Sequence, residues 1–123
     1  MEKTSKAIED YLEALLMLEE KKALLDISSV AAQMKVSMPA ASQMASELKG
    51  LGYIEKEPYG DIVLTAEGRA LANHIYHRHK VLCRYLVSIG VAPDVAEEDC
   101  CRIEHVISEE TFAAIERQLG DKD

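Results

Sequence analysis

Between Ser28 and Thr65 two short helix patterns and a pair of β-prone runs follow one another with almost no connecting chain, and this spacing restricts the fold more than any other feature. Ser28-Ser29-Val30-Ala31-Ala32-Gln33-Met34 reads as a short helix with Ser28 as N-cap. After Lys35-Val36, Ser37 caps a second helix. Its Pro39 falls in the first turn, where a missing N–H costs nothing. Ala41, Met44, Ala45 and Leu48 form the inner face of that helix, which ends near Leu51-Gly52. Tyr53–Glu57 and Asp61–Thr65 then flank Pro58-Tyr59-Gly60 and read as a hairpin. A helix-turn-helix followed at once by a hairpin is a winged helix.

Helical periodicity governs the remainder. Ile8, Tyr11, Leu12, Leu15 and Leu16 recur at i, i+3, i+4, i+7 and i+8, which predicts an amphipathic helix over 8–18. Thr65 caps a long helix with Leu71, Ile75, Leu82, Leu86 and Ile89 on one stripe and Gly90 as its stop. Pro93-Asp94 opens a helix running through Ile107. Ser108, with Glu109 and Glu110 in the first turn, opens the last, which carries Phe112, Ile115 and Leu119. The expected fold is mainly α with a small β-hairpin. A winged helix-turn-helix DNA-binding domain occupies 1–70 and a helical domain 71–123.

Charge opposes that reading. The chain has 22 acidic and 14 basic residues, a net −8, in 123 residues. Residues 94–123 carry 10 acids against 3 bases, or −7, so the C-terminal third repels phosphate and attracts cations. From Ser28 to Lys56 there are three bases (Lys35, Lys49, Lys56) and two acids (Glu47, Glu55), a thin footprint for DNA. No apolar run approaches the ~20 residues that cross a bilayer, and Glu2, Lys3 and Lys6 followed by Glu9 and Asp10 do not form a leader. A cytoplasmic protein is expected. Three cysteines (Cys83, Cys100, Cys101) are too few for a disulfide scaffold, so reduced thiols are expected.

Two sets of side chains carry chemistry. On the helix after Ser37, the face opposite the core shows Ala40, Gln43 and Glu47, with Ser37 and Ser42 beside it. Gln43 can pair bidentately with adenine and Ala40 can meet a thymine methyl. Lys35, Lys49 and Lys56 are placed to reach phosphates. On the helix from Asp94, one stripe (Ala96, Cys100, Ile103, Ile107) is core-like, with Cys100 a small buried hydrophobe. The neighbouring stripe holds Glu97, Cys101, Glu104, His105 and Ser108. Cys101, Glu104 and His105, at i, i+3 and i+4, offer a thiolate, a carboxylate and an imidazole to a transition metal. Asp10 and Glu13 on the first helix, and His79 with Cys83 one turn later, are further ligand candidates. His74 and His77 read as structural or solvated.

The ordered set Asp10…Glu13, Ser37-Met38-Pro39…Ser42-Gln43, the hairpin before Leu64-Thr65, His79, and Cys101-Arg102-Ile103-Glu104-His105 resembles the metal-dependent repressors of the diphtheria toxin repressor and manganese transport regulator type (DtxR/MntR). The resemblance runs from about Ser5 to Leu119. It implies a winged helix and a helical dimerisation domain, in the two-domain form without the SH3-like domain of longer members. It also implies a homodimer in which divalent metal bound between the domains switches on binding to double-stranded operator DNA and represses metal-uptake genes. By position, Asp10, Glu13, His79, Cys101, Glu104 and His105 match the family's metal ligands. Cys83 stands where both branches tend to have glutamate and Glu97 where the iron branch has histidine, which makes this pair candidate ancillary ligands. Ser37, Pro39, Ala40 and Gln43 match its DNA-facing positions. Asp10 is similar to the manganese branch and Cys101 to the iron branch. The sulfur of Cys101 favours Fe(II), with Mn(II) next and Co, Ni or Zn as substitutes in vitro.

Two competing readings are weaker. A metalloenzyme with Glu104 as general base lacks an H-E-x-x-H pairing, a nucleophile constellation and a Gly-rich phosphate loop, so no organic substrate is expected. A winged-helix regulator answering oxidants through Cys83, Cys100 or Cys101, rather than metal, is the alternative function.

Overall fold

The structure, a computed structural model, describes residues 5–120. Glu2 and Lys3 of the N-terminal stretch, and Asp121 and Asp123 of the acidic stretch, lie outside the described residues. In order the elements are α1 (Lys6–Glu20), α2 (Ile27–Met34), α3 (Met38–Gly50), β1 (Ile54–Lys56), β2 (Ile62–Leu64), α4 (Ala66–Ser88), α5 (Pro93–Ile103) and α6 (Glu109–Gly120). The chain divides into two compact units, one ending at Asn73 and the other starting at His74.

In the first unit, Ser5 caps α1 by accepting from the Ile8 N–H at 3.2 Å. The predicted stripe Ile8, Tyr11, Leu12, Leu15 and Leu16 is buried, together with Glu13, Ala14 and Leu18. Tyr11 donates its hydroxyl to the Ala41 carbonyl at 3.2 Å, tying α1 to α3, and burial pushes this phenol up to about 12. The N-cap of α2 is Asp26 and not Ser28. Asp26 Oδ1 accepts from the Ser29 N–H at 2.8 Å, which places Ser28 inside the first turn. An anionic acceptor at that position also suits the positive end of the helix. On α3 Ser37 Oγ accepts from the Ala40 N–H at 3.2 Å as expected, and of the expected inner face Ala41, Ala45 and Leu48 are buried and Met44 half-buried.

The wing is a two-stranded antiparallel hairpin with Ile54 opposite Leu64 and Lys56 opposite Ile62. Ile54, Ile62 and Leu64 face the core and Glu55 and Val63 face out. Its base is bolted down at several points. Thr65 N–H donates to Tyr53 O at 3.1 Å, Thr65 Oγ1 donates to Gly52 O at 2.7 Å, and Ile62 N–H donates to Leu25 O at 2.7 Å. The same Thr65 Oγ1 accepts from the Gly68 N–H at 3.0 Å as α4 begins. A β-carbon on Gly68 would stand 1.9 Å from the Tyr53 carbonyl oxygen, so this close approach requires glycine.

The second unit is built round Val81, Leu82, Cys100, Phe112 and Leu119, with Leu86, Ile103, Ile107 and Ile115 packed against them. α4 ends in a Schellman motif: Gly90 has φ +105°, Gly90 N–H meets Val87 O at 3.0 Å and Val91 N–H meets Leu86 O at 3.0 Å. Ile89, expected on the apolar stripe, lies beyond the helix and is exposed. α5 stops at Ile103, four residues earlier than its pattern predicts. The buried Arg78 serves the turn that follows: its Nη1 donates to the carbonyls of Glu104 and Ile107, each at 3.1 Å, which satisfies oxygens left without a helical partner. Among the described residues no helix is long and apolar enough to cross a membrane.

Candidate functional site

Five of the second unit's ligand-type side chains converge on His79, which is buried on α4. Its Nδ1 lies 2.9 Å from Oε2 of the fully buried Glu104, and its Nε2 lies 3.0 Å from Oε1 of Glu97. Cys101 Sγ is 3.9 Å from Nδ1 and Cys83 Sγ 3.8 Å from Nε2. Cys100 Sγ is 3.5 Å from Nδ1. His105, whose side chain is also almost wholly buried, places Nε2 3.3 Å from Oε1 of Glu104. Sequence spacing put Cys101, Glu104 and His105 on one helical face. In the structure only Cys101 is on the helix; Glu104 is its C-cap and His105 is in the following turn, and Glu104 links His79 to His105.

The Glu104 carboxylate, almost out of solvent between the His79 and His105 rings, is stabilised by any positive charge brought to it. Nitrogen, oxygen and sulfur donors together fit a borderline divalent transition metal. The Arg78 guanidinium supports the arrangement from behind. It holds the Glu104 backbone, pairs with Glu109 and rests over the Phe112 ring at 5.3 Å. Arg78 was missed by motif reading because an arginine adjoining a candidate ligand carries no spacing signal.

One expectation about the thiols is corrected. Cys83 and Cys100 form a disulfide with Cα atoms 5.8 Å apart, and only Cys101 is free. Their sequence separation of 17 hides a proximity that arises only when α4 and α5 lie side by side. Cys100 is still fully buried in the core, as expected.

In the first unit, Asp10 and Glu13 occupy one turn of α1. Glu13 is buried, and Asp10 pairs with Lys6 Nζ at 2.7 Å. Tyr11 lies between them in sequence, so the helix that carries both carboxylates is also the one bonded to α3. On α3 the face opposite the core is open: Ser37, Pro39, Ser42 and Gln43 are exposed and Ala40 is half-buried. Lys35 holds a left-handed conformation (φ 60°) at the end of α2 and is exposed. Lys49 Nζ donates to the Lys56 carbonyl at 2.9 Å, which fastens the wing to α3 and leaves two ammonium protons for phosphate. His74 and His77 are exposed and pair with Glu109 and Glu116.

Two family models match successive parts of the chain. An iron-dependent repressor N-terminal DNA-binding domain matches residues 3–62, and an iron-dependent repressor metal-binding and dimerisation domain matches residues 65–123. The transcriptional regulator MntR of Escherichia coli O6:H1 is 36% identical over 107 residues, covering 87% of this chain and 69% of the relative. The chain belongs to the DtxR/MntR family of metal-dependent transcriptional repressors. An uncharacterised helix-turn-helix regulator of Methanocaldococcus jannaschii is 35% identical over 108 residues, covering 86% of each chain. A manganese-dependent transcriptional repressor solved with manganese superimposes with a TM-score of 0.84 at 27% identity. It is covered to 52% and this chain to 92%, so this DtxR/MntR chain spans about half the length of such solved relatives.

Proposed function

We propose that this protein is a repressor that binds double-stranded operator DNA as a homodimer when loaded with a divalent metal, and that it controls genes of metal uptake in the cytoplasm. The observation carrying this reading is the buried His79–Glu104–His105 chain beside Cys101, in a chain whose first unit presents an open reading helix. The proposed ligands are Asp10, Glu13, His79, Cys101, Glu104 and His105, with Fe(II) ahead of Mn(II) because Cys101 supplies sulfur. The division of labour is a DNA-reading part over 1–70 and a metal-binding, dimerising part over 71–123. Exposed Val87 and Val95 in the second unit supply apolar surface for pairing with a second copy.

A bound metal supplies positive charge where the chain has most negative charge. The residues do the rest. Glu104 accepts from His79 and so orients the ring, Arg78 fixes Glu104, and α1 transmits its own placement to the reading helix through the Tyr11–Ala41 hydrogen bond. On α3, Gln43 reads adenine, Ser37, Pro39, Ala40 and Ser42 line the approach, and Lys35, Lys49 and Lys56 take phosphates. The direct test compares Glu104→Ala and His105→Ala with the parent protein. Both variants should stay folded and dimeric yet lose metal-stimulated DNA binding. Undiminished stimulation in both would refute the assignment.

A further inference from the structure

Among the described residues three besides glycine have a positive φ: Lys22, Lys35 and Tyr59. Lys22 and Lys35 follow the ends of α1 and α2, where a left-handed residue commonly closes a helix. Tyr59, at φ +62°, has no helix to close. It sits at the tip of the wing, where Gly60 N–H donates to Glu57 O at 2.9 Å and completes a four-residue turn. Pro58 is second in that turn and Tyr59 third. A positive φ at the third position is normally left to Gly or Asn, and for a bulky residue it is an outlier. The adjacent Gly60 does not take it; a β-carbon there would stand 3.2 Å from Glu57 O, so the glycine serves the closure of the turn. Nor does packing hold the ring in place. Tyr59 is 106% exposed, more than any other large apolar side chain among the described residues, with Val106 next at 82%. Backbone strain that packing does not explain marks positions kept for function.

The tip stands on the same side as the reading helix. Lys56, Glu57 and Pro58 face Ser42, Ser46 and Lys49 of α3 across a groove of about 220 Å³. The Lys49–Lys56 hydrogen bond fixes wing and helix to each other there. Tyr59 lies three residues past that anchor, a reach of at most ~11 Å. With α3 in a major groove about 12 Å wide, such a reach carries the tip across the bordering sugar-phosphate strand to the neighbouring minor groove. Charge decides what it meets. Glu55, Glu57 and Asp61 outnumber Lys56 along the wing, so the tip is not a grip for phosphates. A neutral ring ending in a hydroxyl suits a groove with deoxyribose walls, whose floor at A·T pairs offers only acceptors.

We propose that Tyr59 is a specificity-determining residue, its ring lodged in the minor groove beside the segment that α3 reads and its hydroxyl donating to adenine N3 or thymine O2. The guanine amino group projects from the floor of that groove and keeps the ring out. The inference rests on the DNA-binding reading and adds a preference for A·T outside the bases that Gln43 meets. A glycine at position 59 would suit the turn better and lose the contact.

The test titrates the Mn(II)-loaded full chain, as parent, Tyr59→Gly and Tyr59→Phe, against a duplex enriched from a random library by the parent. Flanking A·T pairs are changed one at a time to G·C and to inosine·C, which lacks the minor-groove amino group. The parent should lose about tenfold at one G·C change, within the range for a single wrong base pair, and recover with inosine. Tyr59→Gly should bind the A·T duplex about tenfold more weakly and no longer respond to the G·C change. Its melting temperature should hold or rise, because glycine relaxes the turn, so unfolding does not explain the loss. Tyr59→Phe keeps the ring without the hydroxyl and should lose about threefold. Equal affinity in Tyr59→Gly and the parent, or a loss without any inosine dependence, overturns the proposal and leaves the repressor reading standing. A parent without metal-stimulated binding overturns both.

Discussion

At the scale of single residues, two positions carry more than their size suggests. Gly68 lets α4 start against the wing, and a methyl group there would collide with the Tyr53 carbonyl, which is backbone and has little room to yield. Gly68→Ala should cost about 2–3 kcal/mol, the upper part of the range for overpacking, and lower the melting temperature by several degrees. A melt within a degree of the parent would show that the first turn of α4 can shift. Arg78 is the second. Its fork meets two carbonyls and Glu109 at once, a geometry lysine cannot reproduce. Arg78→Lys should leave the protein folded but weaken metal binding about tenfold or more, as loss of an orienting group usually does. Calorimetric titration with Mn(II) or Co(II) checks this, and equal affinity would reduce Arg78 to a packing role.

At the scale of elements, much of this chain is legible because local chemistry and tertiary need agree. Ser37 with Pro39 starts α3, Gly52 and Gly90 end helices at positive φ, and the spacing of Ile8, Tyr11, Leu12 and Leu15 decides which face of α1 is buried. Discrepancies occur where another partner competes. Asp26 outbids Ser28 for the cap because its carboxylate reaches the Ser29 N–H. α5 stops at Ile103 and Arg78 binds the Glu104 carbonyl in the turn beyond, so Glu104 and His105 leave the helical face on which spacing placed them. The disulfide was illegible because only packing brings Cys83 to Cys100. The Ser29 amide holds the Asp26 carboxyl below its usual value of 3.8. A group depressed in the folded state stabilises above its unfolded value, and the contribution fades as pH falls through the lower folded value. Asp26→Ala should therefore cost about 1 kcal/mol at neutral pH, the usual worth of an N-cap, and converge on the parent below about pH 4. Urea midpoints across that range measure it; a gap that persists in acid would mean the carboxylate is not the source. On α3 the same scale separates roles: Gln43→Ala should cost about 1–3 kcal/mol and relax preference at one adenine, whereas Lys35→Ala should weaken all sequences alike and reduce the salt slope by about 1.

At the scale of the whole molecule, the acidic balance and the DNA-binding fold are reconciled by cations. A chain at −8 with a basic excess of one across its reading segment is a poor ligand for DNA alone, and each divalent ion bound offsets two of those charges. Linkage requires the reverse as well: DNA must tighten metal binding by the same factor, typically worth ~1–3 kcal/mol. The most direct test takes a duplex enriched from a random library by the metal-loaded protein and titrates it with reduced protein in parallel Fe(II), Mn(II), Zn(II) and chelator. Tight binding with Fe(II) or Mn(II), and a loss of roughly tenfold or more with chelator, is the predicted result. Binding of equal strength in chelator and in every metal would contradict it.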